Sequence, residues 1–397
     1  MKKILVYSHD TYGLGNLRRM LSICHALNQG ISDLSILLIS GSPMVHEFRL
    51  VDGIDYIKLP CLTRTDREDY AVKSLRTGLY ETIKLRADLI LAAAANFQPD
   101  VFLVDKKPFG IKNELQAAFL HLKESKPEMK AALILRDILD TPESTMNIWH
   151  AHHYFQVIDE FYDQVLVLGK AEIFDPRSEY QFPESVAEKV KFCGYTRREP
   201  GNHSRAEIRQ KLQLEDNKKL VLVTLGGGED AFETIEKYLD GATQLPENQL
   251  IHSVIIYGPE MKEPHRQALL RASSHHPNIT LIEFTNDLMS YLNAADLVIA
   301  MGGYNTICEI LSLRKKAIVI PRVKPVQEQF IRTERMSELG FFKFIHPAEL
   351  TSDGLMNTIQ TELNSGEQPA EFLSLNAHHK ITECVSELLS NGGMNAR

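Results

Sequence analysis

No apolar run in this 397-residue sequence is long enough to cross a bilayer. The longest, residues 89–96, lies between Asp88 and Gln98, whereas a spanning helix needs about 20 apolar residues. Positive charge is also short: 44 Lys and Arg stand against 52 Asp and Glu, a net charge of −8, which argues against a general nucleic-acid role. The five cysteines (24, 61, 193, 308 and 384) are odd in number, scattered and without a Cys-x-x-Cys spacing. They read as reduced cytosolic thiols, not as a disulfide frame or a zinc set. No Gly-x-x-x-x-Gly-Lys-Ser/Thr occurs, so a P-loop enzyme is excluded. The opening MKKILVYSHD has two lysines but too few apolar residues for a secretory signal, and reads as a first strand. The expectation is a cytoplasmic protein that could sit on a membrane but not cross it.

What is present suits a globular α/β protein, 44% hydrophobic and 24% charged. The length allows two domains, each with its own core. Apolar strands are expected near residues 4–8, 35–40, 55–59, 101–105, 131–136 and 165–169, with helical patterns between them. The alternation repeats near 220–225, 253–257, 279–283, 297–300, 317–320 and 342–345. Strands apolar along their whole length, separated by helices, imply parallel sheets covered on both faces. The fold class is therefore α/β, two Rossmann-like doubly wound domains facing a central cleft. The boundaries expected are 1–193, 194–368 and a closing helical segment 369–397, with the linker near 190–202, where Gly, Pro and charge interrupt the pattern. Residues 61–78 are too polar for core and read as a mobile loop.

In an open parallel sheet, ligands bind at the carboxyl ends of the strands. In the first half that rule selects His9, Asp10, Gly13, Gly15 and Asn16, with Arg18 and Arg19 on the helix that follows, then Asp105 and Lys106, then Asp137. Gly13 and Gly15 are either phosphate-facing or plain turn punctuation, because a dinucleotide fingerprint needs a small residue where Arg18 stands. In the second half it selects residues 226–228, of which Gly227 and Gly228 suit a diphosphate contact, and Phe284, a candidate to pack on a nucleobase or in the core. His150 and His153 lie one helical turn apart, but no carboxylate or cysteine at ligand spacing completes a set, so no metal site is expected.

The stretch 296–311, ADLVIAMGGYNTICEI, reads as a buried strand, a turn at Gly302-Gly303 and a helix with Thr306 and Glu309. Free N–H groups at such a helix start, the helix dipole and the missing Cβ atoms favour a phosphate. The same Thr-x-x-Glu spacing is also that of a capping box. Downstream come the short strand KAIVIP and a polar helix start with Glu328-Gln329. Gly-Gly-x-x-Thr-x-x-Glu, a strand ending in Pro and a Gln/Glu-rich helix start together resemble the C-terminal half of the peptidoglycan N-acetylglucosaminyltransferase (MurG-type) family of GT-B fold. The resemblance implies that Glu309 binds a ribose, that Thr306 and the backbone near Gly303 bind phosphates, and that Glu328 and Gln329 bind the sugar. That family more often has two glutamines where this chain has Glu328-Gln329. It also has a histidine where this chain has Asn16, and an asparagine cannot act as a general base.

The replacement bases on offer are His9, Asp10, Asp105 and Asp137, with His9 and Asp10 favoured because that loop faces the donor phosphates in the resembled fold. The activity implied is transfer of a hexose-type sugar from a nucleotide sugar, UDP foremost, inverting and independent of metal or other cofactor. The acceptor would be a glycan, a lipid-linked molecule or a small molecule, and a lipid-linked acceptor would bring peripheral contact with the inner face of a membrane. Two other readings stay open: a nucleotide-sugar hydrolase or epimerase on the same frame, and a non-catalytic nucleotide-sugar-binding partner, which Asn16 would suit.

Overall fold

The computed structural model of the chain describes residues 1–9, 15–65, 69–244, 250–366, 370 and 373–391. It divides into two compact units, Met1–Thr196 with Asn376–Arg397, and Arg197–Leu375. The first unit begins with β1 (Lys2–Ser8), α1 (Gly15–Gly30), β2 (Leu34–Ser40) and β3 (Ile54–Lys58), then a ribbon of β4 (Leu62–Arg64) and β5 (Tyr70–Val72). It continues with α2 (Leu79–Phe97), β6 (Val101–Asp105), α3 (Gln116–Ser125), β7 (Lys130–Arg136), α4 (Pro142–Ala151), α5 (Tyr154–Phe161) and β8 (Gln164–Leu168). Two single-turn helices, α6 (Pro176–Glu179) and α7 (Glu184–Ala187), precede β9 (Val190–Phe192).

The sheet runs β3-β2-β1-β6-β7-β8-β9, with every pair parallel. Its central strands, β1 and β6, are buried over their apolar residues because helices must cover both faces of a parallel sheet. Two readings of the sequence need correcting here. Residues 61–78 are not simply a loop, since β4 and β5 pair antiparallel within them; the ribbon is anchored by buried Leu62 and Tyr70 on Ile111. Residues 190–192, read as part of the linker, form the last strand of the sheet, a short edge strand whose exposed Lys191 disguises it.

Under β1 lies a buried polar knot. Glu114 accepts from Arg86 Nε and Nη2 at 2.6 Å each and from Tyr7 Oη at 2.6 Å, while Arg86 Nη1 donates to Pro60 O. Removing one partner of such a pair strands a buried charge. Glu114→Gln is therefore expected to lower unfolding stability by about 3–5 kcal/mol, read from denaturant curves.

The second unit holds α8 (Arg205–Lys211), β10 (Lys219–Thr224), α9 (Phe232–Ala242), β11 (Ile251–Ile256), α10 (Glu263–Ser273), β12 (Ile279–Ile282) and α11 (Leu288–Ala294). Then come β13 (Leu297–Ala300), α12 (Tyr304–Ser312), β14 (Ala317–Val319), α13 (Glu328–Glu338), β15 (Lys343–Phe344) and α14 (Ser352–Asn364). Its parallel sheet runs β12-β11-β10-β13-β14-β15. Val221, Val223, Ile255, Leu297, Ile299 and Ile318 form the sheet side of its core. The chain then returns to the first unit, where α15 (Ala377–Asn391) packs on α1, with His378 Nε2 3.1 Å from Ser22 Oγ. No helix among the described residues is long and apolar enough to cross a membrane.

Candidate functional site

Each sheet reverses its strand order once, between β1 and β6 in the first unit and between β10 and β13 in the second. Loops leaving neighbouring strands diverge at such a point and leave a crevice at their carboxyl ends. In the second unit, the glycines at residues 226–228 leave β10 and Gly302-Gly303 leaves β13.

Gly303 is the N-cap of α12, with φ −64° and ψ 141°, and as a glycine it has no side chain with which to cap that helix. A Cβ added to Gly303 would meet only Thr306 Oγ1, at 4.0 Å, so the helix start is open to a ligand. Because α12 begins at Tyr304, Thr306 stands in its first turn and not at the N-cap position. The capping box that the Thr-x-x-Glu spacing allowed therefore does not form, and half-buried Glu309 follows one turn after Thr306. A helix start with a glycine N-cap has the geometry of an anion site.

Two arginines that the sequence reading passed over stand beside this turn. Arg198 donates from Nη2 to Asn305 Oδ1 (3.1 Å) and from its backbone N–H to Ser312 Oγ (2.8 Å), which sets a half-buried guanidinium beside the first turn of α12. Its Nε is buried and has no hydrogen-bond partner among the described residues. Arg332, 0% exposed, donates from Nη1 to Gly302 O (2.8 Å), pairs through Nη2 with Glu328 Oε2 (2.6 Å), and lies over the Tyr304 ring at 5.7 Å. The expected sugar ligand Glu328 thus spends a carboxylate oxygen on a buried ion pair. Gln329 accepts from Arg322 N–H through Oε1 at 3.2 Å, which leaves its amide NH2 to donate.

The glycines after β10 divide by role. Gly228 (φ 102°) has no room for a side chain, because a Cβ would lie 2.4 Å from Tyr257 O. Gly227 faces Glu260, whose Oε2 would stand 2.4 Å from a Cβ. Only Gly226 (φ 75°) is open, with nothing within 4 Å. Close packing of this loop on residues 257–261, and not approach of a phosphate, accounts for glycine at 228. Asp230 pairs with Arg322 at 3.2 Å. Phe284 is 55% exposed, so it is not core and offers its ring to solvent.

In the first unit, Asp10 and Gly13 lie outside the described residues. The structure brings His9, Asn16, Arg19 and Asp105 together at the β1/β6 reversal. Asp105 accepts from Arg19 Nη2 at 2.8 Å and from His9 N–H at 3.4 Å, with both Asp105 and Arg19 buried. Asn16 donates from Nδ2 to His9 O (2.6 Å) and accepts from Arg19 Nη2 (3.2 Å). Asn16 therefore orients the backbone of His9. Arg19, taken up by Asp105, is not an exposed phosphate ligand; Arg18 is the exposed one of the pair, and Gly15 opens α1. Asp137 is also engaged, accepting from Ile138 N–H (2.8 Å) and Tyr195 Oη (3.1 Å).

His9 is different. It is 1% exposed and, among the described residues, its Nδ1 has no hydrogen-bond partner. Burial, and then the charges of Lys106, Lys107, Arg64 and Arg86, hold its pKa well below the usual histidine value of 6.5. Lys106, in a left-handed backbone conformation (φ 72°), is itself pulled down to about 7 by burial and by Arg136, Arg64 and Lys107. The unit thus presents a neutral imidazole within a cationic setting. The histidines near 150 play no comparable part: His150 meets Phe155 edge-on and His152 stacks on Tyr154.

Two Rossmann-like units of this kind define the GT-B class of fold. Residues 220–388 match the glycosyltransferase family 28 C-terminal domain, a stretch that takes in the Gly302-Gly303 turn, α12 and α13 but not Arg198. Among curated relatives, the UDP-N-acetylglucosamine--N-acetylmuramyl-(pentapeptide) pyrophosphoryl-undecaprenol N-acetylglucosamine transferase of Haemophilus ducreyi is 28% identical over 105 residues, 26% of this chain and 29% of that protein. The chain spans at most about half the length of such relatives, 49% for the one from Geobacillus kaustophilus. Among solved structures, Acinetobacter baumannii MurG aligns at TM-score 0.61 and 13% identity, covering 98% of this chain and 100% of that one. The UDP-GlcNAc 2-epimerase of Methanocaldococcus jannaschii aligns at TM-score 0.65 and 12% identity, with coverages of 98% and 100%. The chain is MurG-like in fold and in its C-terminal domain.

Proposed function

We propose that the protein is a glycosyltransferase that moves a hexose-type sugar from a UDP sugar to a hydroxyl acceptor. The observation that carries this is the glycine-capped α12 start at the β10/β13 reversal, with Gly303 open, Arg198 beside it and Glu309 further along the helix. As the sugar leaves, negative charge grows on the diphosphate. Backbone N–H groups already aimed at that charge stabilise it without reorganising. Arg198 adds a full positive charge to the same end of the site, and the reading involves no metal or other cofactor. Glu309 accepts from the ribose hydroxyls, and Phe284 offers a face to the base. In the first unit, His9 stands as the general base for the acceptor hydroxyl, because a neutral imidazole with an unpartnered nitrogen can take a proton. The names of the curated relatives point to UDP-N-acetylglucosamine as donor and a lipid-linked pyrophosphate as acceptor.

The likeness to the 2-epimerase supports a second reading, in which the same site cleaves or epimerises the UDP sugar. Product analysis without added acceptor separates the two, since only a hydrolase or epimerase consumes the donor there. The donor site itself is tested by thermal-shift titration with UDP, GDP, ADP and dTDP on the wild type and on Glu309→Ala. A nucleotide that binds only the folded chain must raise Tm, by an amount set by about RT ln(1 + [L]/Kd). UDP alone is expected to raise it, and Glu309→Ala to abolish the rise. No shift with any nucleotide would remove the reading.

A further inference from the structure

We propose that Glu328 and Arg332 are a positioning pair for the Gly302-Gly303 turn, so that Glu328 acts on the diphosphate end of the donor through that turn and not on the sugar. This rests on the donor-site reading above. The argument starts from the peptide plane. The C=O of Gly302 and the N–H of Gly303 belong to one trans peptide and point in opposite directions. Arg332 Nη1 binds Gly302 O at 2.8 Å and so draws the carbonyl toward α13. The Gly303 N–H must then point away from α13, and the residue itself is uncrowded, since a Cβ there would meet only Thr306 Oγ1 at 4.0 Å. Among the described residues that N–H donates no hydrogen bond.

The guanidinium can do this because it is itself fixed. Its donors form a rigid planar fork. Nη2 is held by Glu328 Oε2 at 2.6 Å, and its face lies on the ring of Tyr304, the first residue of α12. One buried cation thereby sets both the last peptide of the turn and the first residue of the helix. Close contact enforces the arrangement: a Cβ on Gly302 would stand 2.2 Å from Thr333 Oγ1, one residue beyond Arg332. Glu328, 6% exposed, is the counter-charge that lets Arg332 remain buried at this point.

The test uses the full chain, with UDP, which lacks the transferred hexose, as the probe. Glu328→Leu/Arg332→Met replaces both charges by apolar groups, a change that usually leaves stability close to unchanged. It frees the Gly302 carbonyl. UDP affinity is expected to fall about tenfold or more, as for loss of a charged hydrogen bond, with little change in Tm. Amide exchange at residues 302–306 should speed up while β13 keeps its protection. Arg332→Lys, which keeps the charge but not the fork, is expected to fall between wild type and the double variant, and it serves if the double variant does not fold. UDP affinity within about twofold of wild type, with exchange in the turn unaltered, overturns the proposal. A variant that binds UDP normally but no longer distinguishes a UDP sugar from UDP assigns Glu328 to the sugar, and also overturns it. If wild-type protein fails to bind UDP, the donor-site reading falls, and amide exchange alone decides whether the pair holds the turn.

Discussion

Gly302→Ala is expected to lower the stability of the second unit by about 1–3 kcal/mol, the usual cost of overpacking, and to remove UDP binding almost entirely. The added methyl would stand 2.2 Å from Thr333 Oγ1 and 2.9 Å from Gln329 O. The hydroxyl belongs to a fully buried, β-branched side chain on α13, and the carbonyl is backbone, so neither neighbour can simply swing away. The strain is relieved only by pushing the turn out of the crevice. That movement breaks the Arg332 bond to Gly302 O and re-aims the α12 start. Adding Thr333→Ala clears the closer of the two contacts and should restore part of the stability, while the Gln329 carbonyl still presses on the turn. Urea unfolding and UDP titration of the single and double variants read both effects. A Gly302→Ala protein as stable as wild type, with UDP binding intact, would mean that the turn is not held between β13 and α13 as described.

That prediction turns on a distinction which sequence alone does not make. All twelve strands expected from apolar runs exist, because a parallel strand covered on both faces must be apolar throughout. The elements missed, β4, β5 and β9, are only three residues long, and two of them sit in the polar stretch 61–78. The loops that carry glycine were equally legible, since they follow from the strand ends. What each glycine does was not. Gly226, Gly228, Gly302 and Gly303 look alike in the sequence, yet 228 and 302 make room for protein while 226 and 303 face open space. Only the packing of neighbouring loops and helices separates them.

Charged residues failed in the same way. Arg332, four residues after Glu328 at the end of a polar run, was passed over in the sequence, whereas the structure buries it completely. Arg198 lay within a run, TRRE, that read as linker. The i to i+4 spacing of Glu328 and Arg332 was visible; its burial was not. Of the acidic residues considered as bases, Asp105 and Asp137 turn out to be hydrogen-bonded within the first unit. The resemblance placed His9 and Asp10 ahead of them, but which side chain keeps an unused lone pair is visible only in the structure.

The second large effect follows from that ranking. His9→Gln keeps a polar side chain but cannot take a proton, and kcat/KM for UDP release from a UDP sugar is expected to fall about 10²- to 10⁴-fold, the usual contribution of a general base. The pH profile makes this specific. Burial first, and then the charges of Lys106, Lys107, Arg64 and Arg86, oppose the imidazolium, so the wild-type acid limb should lie well below pH 6.5. Lys106→Met removes the first-named of those charges and should move the limb upward toward 6.5, while His9→Gln should abolish it. The linkage runs in the same direction. A histidine whose folded pKa is depressed binds its proton more readily when unfolded, so its share of the stability is present above pH 6.5 and is lost as pH falls below it. Wild-type protein should thus lose stability on acidification through that window more steeply than His9→Gln does. A role for His9 in packing alone would lower activity at every pH and leave the limb where it was. An acid limb that stays fixed in Lys106→Met, together with a His9→Gln enzyme that still titrates, would take the base away from His9.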